Sequence, residues 1–459
     1  MGCVLIGLPG GEVSSRWDGV PGVRAGSLVG GLDESRVISM NEVEIASPDL
    51  ASPRFKADPH PFYARLRAEA PVWRTTLSDK RTAWLVTRYA DVAGVLKDDR
   101  LAKDPHNAQN PEQQAEGQWV PGFLKPLEQN MLDLDDPDHR RLRALVSKAF
   151  TPRLIERLRG RIETICQELL DAMGRRGRTE LVRDYALPLP ATVIAELLGI
   201  PPKDQRKFHR WSNRIVSISS GRDVWRALPA ALAFVRYLRK MSERRRRLSP
   251  EDDLMSALVQ AEEAGDRLSQ DELLAMSFLL LVAGHETTVN LISSGTLALL
   301  EDPEQLEKLE GDPSLIKPTV EELLRYTSPV EIATERYARE DLDISGTEVP
   351  RGELVLAVLG SANRDEQHFE DPDTLDLARD PNRHLAFGRG GVHHLRSASL
   401  SRGAARPDGG PDRRQRPTAA LPKPTPGSRL QIAALAPGLV PARTAEVAHR
   451  PGQHNKLKC

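Results

Sequence analysis

Residues 270–300 constrain this chain more than any other segment. They carry an unbroken helical pattern of about 31 residues, roughly 45 Å at 1.5 Å per residue. From Leu273 to Val282 the pattern is apolar nearly all round, so such a helix crosses a core rather than lying on one. In its middle stands Ala283-Gly284-His285-Glu286-Thr287-Thr288. A glycine there costs about 1 kcal/mol against alanine. A buried carboxylate must be paired or protonated, and threonine hydroxyls bond back to carbonyls and bend the helix. Two readings account for this insert. One is a kinked core helix with a satisfied polar patch. The other is a groove for a diatomic ligand, with Glu286 and Thr287 delivering protons.

Periodicity predicts a mainly α chain with a small β region, in a single large domain over residues 40–392. Helical patterns dominate from 137 to 325, at 140–150, 154–175, 188–198, 253–264 and 270–300. An amphipathic stretch at 62–70 and a short helix at 90–96 precede them. Strands are expected at 84–87 and 354–359, and residues 104–130 read as a long, functional loop. No internal repeat is visible. Residues 1–39 are rich in Gly, Val and Ser and read as a flexible leader, with Met40 as a second possible start. Residues 393–459 hold twelve Lys or Arg against three Asp or Glu, nine prolines and no Phe, Trp or Tyr. Such a segment buries too little to offset its ordering entropy, so this basic tail is expected to be disordered.

A formal net charge of −1 argues against a general nucleic-acid binder. Cys3, Cys166 and Cys459 are too scattered for a disulfide framework, which points to a reducing cytoplasm. No apolar run reaches the ~18 residues of a membrane span. Cys166 reads as a buried structural thiol.

Other groups are suggestive only in company. Glu322 and Arg325 stand i, i+3 and can pair, although Glu-x-x-Arg alone is usually a solvated surface pair. A second guanidinium, Arg379, could be clamped by the same Glu322. His139 and Arg143 stand i, i+4; they are either exposed charges at a helix start or two donors aimed at a carboxylate. Arg336 and His384 are single donors. His384-Leu385-Ala386-Phe387-Gly388-Arg389-Gly390 closes the series, with Ala362-Asn363-Arg364-Asp365 before it.

Taken in order, these motifs over roughly residues 50–392 resemble the haem-thiolate monooxygenases, the cytochrome P-450 family, in its soluble bacterial style. The resemblance implies the family's mostly α, triangular fold, haem b as cofactor, and insertion of one oxygen atom from dioxygen into a lipophilic small molecule of polyketide, macrolide, terpenoid or fatty-acid type. It implies electrons from NAD(P)H through ferredoxin reductase and a ferredoxin docking near Arg140, Arg141 and Arg143, and a monomer. By resemblance Glu286 and Thr287 match the acid–alcohol pair that relays protons. His139, Arg143, Arg336 and His384 match donors to the haem propionates. Ala283 and Gly284 match the groove over the haem, Phe387 and Gly388 the turn beside the iron ligand, and Glu322, Arg325 and Arg379 a structural triad. His285 falls at a variable position and takes no role. Substrate contacts are expected from 104–130, 208–235, Ala283, Gly284 and 330–334.

The pattern breaks at one place. The family sets a cysteine seven residues after the phenylalanine, a position held here by His394. Allowing one extra residue moves it to Leu395. Neither is a thiol, and after Cys166 the chain has no cysteine before Cys459. A thiolate pushes electron density onto iron and favours O–O cleavage. Leucine cannot ligate, and His393 or His394 would give a globin- or peroxidase-like centre. The Arg/Pro/Ala/Gly bias of the tail suggests a reading-frame change near codons 391–396, which leaves this chain without its iron ligand. The alternatives are a non-catalytic haem-binding pseudoenzyme or a helical scaffold for a lipophilic molecule.

Overall fold

The long segment forms one helix, Gln270–Glu301. A reciprocal cap fixes its start. Ser269 Oγ accepts from the Glu272 N–H at 3.2 Å, and Glu272 Oε2 accepts from the Ser269 N–H at 2.8 Å. Leu273, Leu274, Ala275, Met276 and Ser277 are consecutive and all buried, so every side of this first stretch faces protein. The helices Pro188–Leu197, Pro202–Val216, Gly221–Arg247 and Ile316–Thr327 pack around it. Gly295 leaves room for the helix Ile316–Thr327 to approach. A methyl group there would lie 3.1 Å from Leu323 Cδ1. The largest apolar cluster gathers Phe208, Phe234 and Leu238 from two of the packing helices against Leu273, Leu279 and Leu281 of the long helix.

The computed structural model describes residues 48–110, 113, 127, 130–176, 179–216, 221–247, 252–263 and 265–388, with the backbone of 429–430 and 445–446. The expected leader 1–39, most of the loop 104–130, and the tail apart from a two-residue antiparallel pair, Arg429–Leu430 with Ala445–Glu446, lie outside that set.

The β part is a five-stranded sheet in the order Val72–Thr76, Thr82–Val86, Leu354–Ala357, Arg336–Ala338, Leu101–Ala102. Thr82–Val86 runs parallel to Leu354–Ala357, and the other neighbours are antiparallel. The central strand Leu354–Ala357 is buried at all four residues, as expected of a strand covered on both faces. The sheet brings the chain ends at Lys103 and Arg336 to the same edge, because Leu101 pairs with Ala338 and Ala102 with Tyr337.

One helix is shorter than its periodicity suggests. The 253–264 pattern yields Leu254–Gln260, capped by the Asp253 carboxylate, which accepts from the Ser256 N–H at 2.7 Å. Ala261 then turns extended, and Glu262–Glu263 pairs antiparallel with Asp266–Arg267. Gly265, at φ +84°, supplies the left-handed residue this hairpin needs. A hairpin satisfies the same backbone groups that about one more helical turn would have.

Candidate functional site

The polar insert lies midway along the long helix. Ala283 is exposed there, although Leu281, His285 and Val289 around it are buried. Its methyl group therefore faces open space between the buried Leu281 and His285. Gly284 points elsewhere: a Cβ on it would meet Ile194 Cδ1 at 3.3 Å, so its missing side chain serves contact with helix Pro188–Leu197. Thr287 Oγ1 donates to Ala283 O at 2.7 Å and Thr288 Oγ1 to Gly284 O at 2.9 Å. Both hydroxyls thus hold their hydrogens on the helix and keep lone pairs available.

Glu286 Oε2 is buried without a hydrogen-bond partner. Burial raises its pKa to about 7, so near neutrality it is poised between acid and carboxylate. Glu286 and Thr287 are neighbours on a helix and point roughly 100° apart, so they do not pair directly. His285 Nε2 also lacks a partner, and burial lowers the ring's pKa.

A second group of residues converges at the sheet edge. His139 and Arg143 sit on the helix Asp138–Ala149, one turn apart. His139 Nδ1 lies 2.7 Å from Met131 O and 3.2 Å from Lys103 Nζ. Burial, then the positive charges of Lys103 and Arg143, lower the imidazole's pKa. Burial, then Arg336 and Arg143, do the same to Lys103, while Asp135 and Asp136 oppose the shift. Arg336 Nη1 donates to Thr334 O at 2.8 Å. Three of the residues expected as propionate donors, His139, Arg143 and Arg336, are thus brought together. Lys103, which nothing in its local sequence marks, joins them.

The fourth expected donor, His384, stands apart. Its Nε2 lies 3.0 Å from Glu321 Oε2 and its Nδ1 accepts from the Ala386 N–H at 3.2 Å. Protonating Nδ1 would set one N–H against another. Burial pulls the pKa down to about 4 despite the favourable charge of Glu322, and the ring is neutral. It fastens the turn that follows to helix Ile316–Thr327 and does not join the cationic group.

Glu322, Arg325 and Arg379 form one buried unit. Arg325 binds Glu322 through two bonds of 2.8 Å, both side chains fully buried. Arg379 Nε adds a third at 3.2 Å, Asn382 Nδ2 a fourth at 2.9 Å and the Asp376 N–H a fifth at 3.0 Å. Arg325 also donates to the carbonyls of Asn363, Pro372 and Thr374. The Ala362–Asp365 motif links this unit to its surroundings. Asn363 donates to Ser328 Oγ at 2.9 Å and accepts from the Leu385 N–H at 2.7 Å, and Asp365 accepts from the Tyr89 N–H at 2.6 Å. The chain then turns at Gly388, φ +64°, whose N–H donates to Leu385 O at 2.7 Å. Phe387 projects from that turn and is 42% exposed.

A planar apolar macrocycle bearing carboxylates suits this arrangement. A convergent cationic group stands at the sheet edge, and a helix face offers only the Ala283 methyl with the unpartnered Glu286 Oε2 nearby. An axial thiolate does not come from the described residues, among which the one thiol is Cys166. It packs with Ile165, Tyr185, Val289 and Ile292, and burial raises its pKa. His393, His394 and Leu395 lie outside the described residues. Of the basic face expected near Arg140, Arg141 and Arg143, Arg140 pairs with Asp136 at 2.7 Å and Arg141 with Asp266 at 2.9 Å and with Glu272.

Residues 211–312 and 314–390 match the family model described as Cytochrome P450. Cytochrome P450 107B1 of Saccharopolyspora erythraea is 46% identical over 359 residues, 77% of this chain and 87% of that protein. The polyketide biosynthesis cytochrome P450 PksS of Bacillus subtilis is 45% identical over 354 residues, 76% of this chain and 86% of that one. The crystal structure of myxobacterial cytochrome P450 CYP267B1 in complex with myristic acid superposes with a TM-score of 0.70 at 45% identity, covering 78% of this chain and 88% of that one.

Proposed function

The chain belongs to the cytochrome P450 family, and from that premise we propose a monooxygenase site for a lipophilic small molecule of polyketide, macrolide or fatty-acid type. Haem b, the family's cofactor, supplies when bound the iron at which dioxygen is activated and one of its atoms inserted into a C–H or C=C bond. The chain's own residues do the rest. Lys103, His139, Arg143 and Arg336 would hold the cofactor's carboxylates. The long helix excludes water from one side of the site through its buried first half. Glu286 keeps a proton at Oε2 because burial makes its carboxylate costly. Thr287 accepts a proton on a free lone pair and releases its own hydrogen from Ala283 O. The observation that carries this reading is the unpartnered Glu286, protonated in part at neutral pH, one residue from a hydroxyl and one turn from the open face at Ala283. The substrate class rests on the relatives, of which one is named for polyketide biosynthesis and another binds myristic acid. Electrons would come from NAD(P)H through ferredoxin reductase and a ferredoxin.

The same proposal includes a defect. The sequence places no cysteine between Phe387 and Cys459, so the chain as written would hold haem without a thiolate from this stretch and would not oxygenate. A non-catalytic haem protein with His393 or His394 as axial ligand is the second reading that this observation favours. The reduced, CO-bound spectrum separates them. We expect a histidine-type Soret band from the chain as written, and the red-shifted thiolate-type band only after Leu395→Cys or His394→Cys. A thiolate-type band from the unaltered chain would overturn the defect, and no Soret absorption in any variant would overturn the haem reading itself. Sequencing the gene across codons 391–396 tests the reading-frame change.

A further inference from the structure

Two of the helices that pack on the long helix concentrate positive charge. Pro202–Val216 and Gly221–Arg247 together hold fourteen Lys or Arg against three Asp or Glu, in a chain whose formal net charge is −1. Close in sequence, they pack as antiparallel neighbours. Phe208 meets Phe234 at 5.6 Å between ring centroids, and Tyr237 Oη donates to Asp204 Oδ2 at 3.2 Å. Their inner sides are apolar: Phe208 and Ile215 are buried on one helix, Phe234 and Leu238 on the other. The charge lies on the opposite side. Arg206, Arg210 and Arg214 follow at four-residue steps on the first helix, and Arg236, Lys240 and Arg244 on the second. All six are exposed, and none makes an ion pair among the described residues. Four-residue spacing keeps each trio on one side of its helix, where like charges destabilise it. Two cationic rows thus lie side by side, facing out.

Little on these helices offsets the rows. Asp204 is half-buried between Tyr237 and Lys207, and Glu243 is the one exposed carboxylate among their described side chains. The same side carries apolar groups. Trp225 is 67% exposed, more than any other large hydrophobic side chain among the described residues, and Pro229 one turn on is exposed as well. Positions 225, 229, 236 and 240 are separated by four and seven residues, so they share a helix face. The longer helix extends this face over roughly 40 Å. A plane of lipid phosphates meets both rows at once, and a tryptophan settles at headgroup depth in such a surface. An acidic protein would satisfy the cations but offers Trp225 no apolar layer.

We propose that the outer face of Pro202–Val216 and Gly221–Arg247 docks on an anionic phospholipid bilayer, its two cationic rows on the lipid phosphates and Trp225 in the headgroup layer. The protein then lies on the membrane without spanning it. What the docking is for rests on the lipophilic-substrate reading given above: a bilayer is where such a molecule collects, and residues 208–235, expected to contact it, belong to these helices. The docking itself needs no haem.

The test is sedimentation of the full-length protein with phosphatidylcholine vesicles, with and without one third phosphatidylglycerol. The parent should bind the phosphatidylglycerol vesicles, and high salt should release it. Each cation near such a surface is worth about fivefold in partitioning, so Arg236→Gln/Lys240→Gln/Arg244→Gln should bind about a hundredfold more weakly. Trp225→Ala should lose several-fold. Lys80→Gln/Lys97→Gln/Lys317→Gln removes the same charge from scattered exposed sites and should bind as the parent does. The basic tail is present in every sample, so any attraction of its own is common to all. If the first triple variant binds as well as the parent, or the second loses as much as the first, the face does not dock. If the parent binds soluble polyglutamate but not the vesicles, the partner is an acidic protein and the bilayer assignment falls. A parent that takes up no haemin and still binds the vesicles overturns the haem reading alone.

Discussion

A carboxylic acid with no partner for one oxygen, in the middle of a core helix, ties stability to pH at a single residue. Glu286 has a folded pKa of about 7, above its ordinary value of 4.5. Between those two values the folded chain binds a proton that the unfolded chain has released. Its contribution is therefore intact below pH 4.5 and is lost as pH rises through 7. Glu286→Gln keeps the shape and removes the titration. The variant should gain stability over the parent as pH climbs from 4.5 to 7, on the order of 1–2 kcal/mol after discounting for the part water reaches. Urea melts at pH 4.5 and 8 check this, and equal differences at the two values would refute it. Arg325 offers the opposite case. It and Glu322 are fully buried, and Arg325 reaches three carbonyls besides. Arg325→Ala strands the Glu322 charge and should cost about 3–5 kcal/mol. Arg325→Lys should rescue little, because an ammonium cannot span the fork of two carboxylate oxygens and the carbonyls together.

Among the elements, the long helix and Ile316–Thr327 meet where Gly295 faces Leu323. Gly295→Ala improves helix propensity by about 1 kcal/mol but must displace Leu323. We expect Gly295→Ala to lower thermal stability in the parent but not in a Leu323→Ala background, which itself starts about 2–5 kcal/mol below the parent because Leu323 is buried, as a double-mutant cycle would read. The long helix was legible in the sequence because its signal is local: a continuous apolar run and an insert that costs energy. Glu322 and Arg325 were legible as an i, i+3 pair for the same reason. Their further partners, Asn382 and the Asp376 N–H, arrive from a distant loop and carry no pattern. Lys103 was illegible for a stronger reason. Its meaning comes from the register that sets it against Arg336, and register is a property of two strands. The partners of His384, the Glu321 carboxylate and the Ala386 N–H, were not legible, because a histidine's type does not tell which way its nitrogens face. The hairpin at Gly265 cut short a helix whose periodicity continued.

At the scale of the whole molecule, the cationic group and the open face at Ala283 lie on different elements, the sheet edge and the long helix. A ligand that touches both joins the helical part to the β part. Haemin should therefore raise the melting temperature of the full-length chain in proportion to the logarithm of its free concentration, about 2.7 kcal/mol of stabilisation at a hundred times Kd. Calorimetry at rising haemin concentration measures this, and a melting temperature indifferent to haemin would sink it. The sheet, the Glu322 unit and the turn at Phe387, which such a ligand would join, all lie within the residues up to Gly388.

The sheet also sets a timetable for synthesis. Thr82–Val86 lies parallel to Leu354–Ala357, so an early strand waits for one made much later. At about 5–20 residues per second, the hairpin Val72–Val86 spends roughly 15–50 s on the ribosome with one apolar edge bare. During that interval the nascent chain offers a strand-shaped edge to anything that can add a strand, and a chaperone that shields such edges would have its target here. The edge closes once Ala357 emerges, so the residues after it are synthesised behind a sheet whose described strands are all in place.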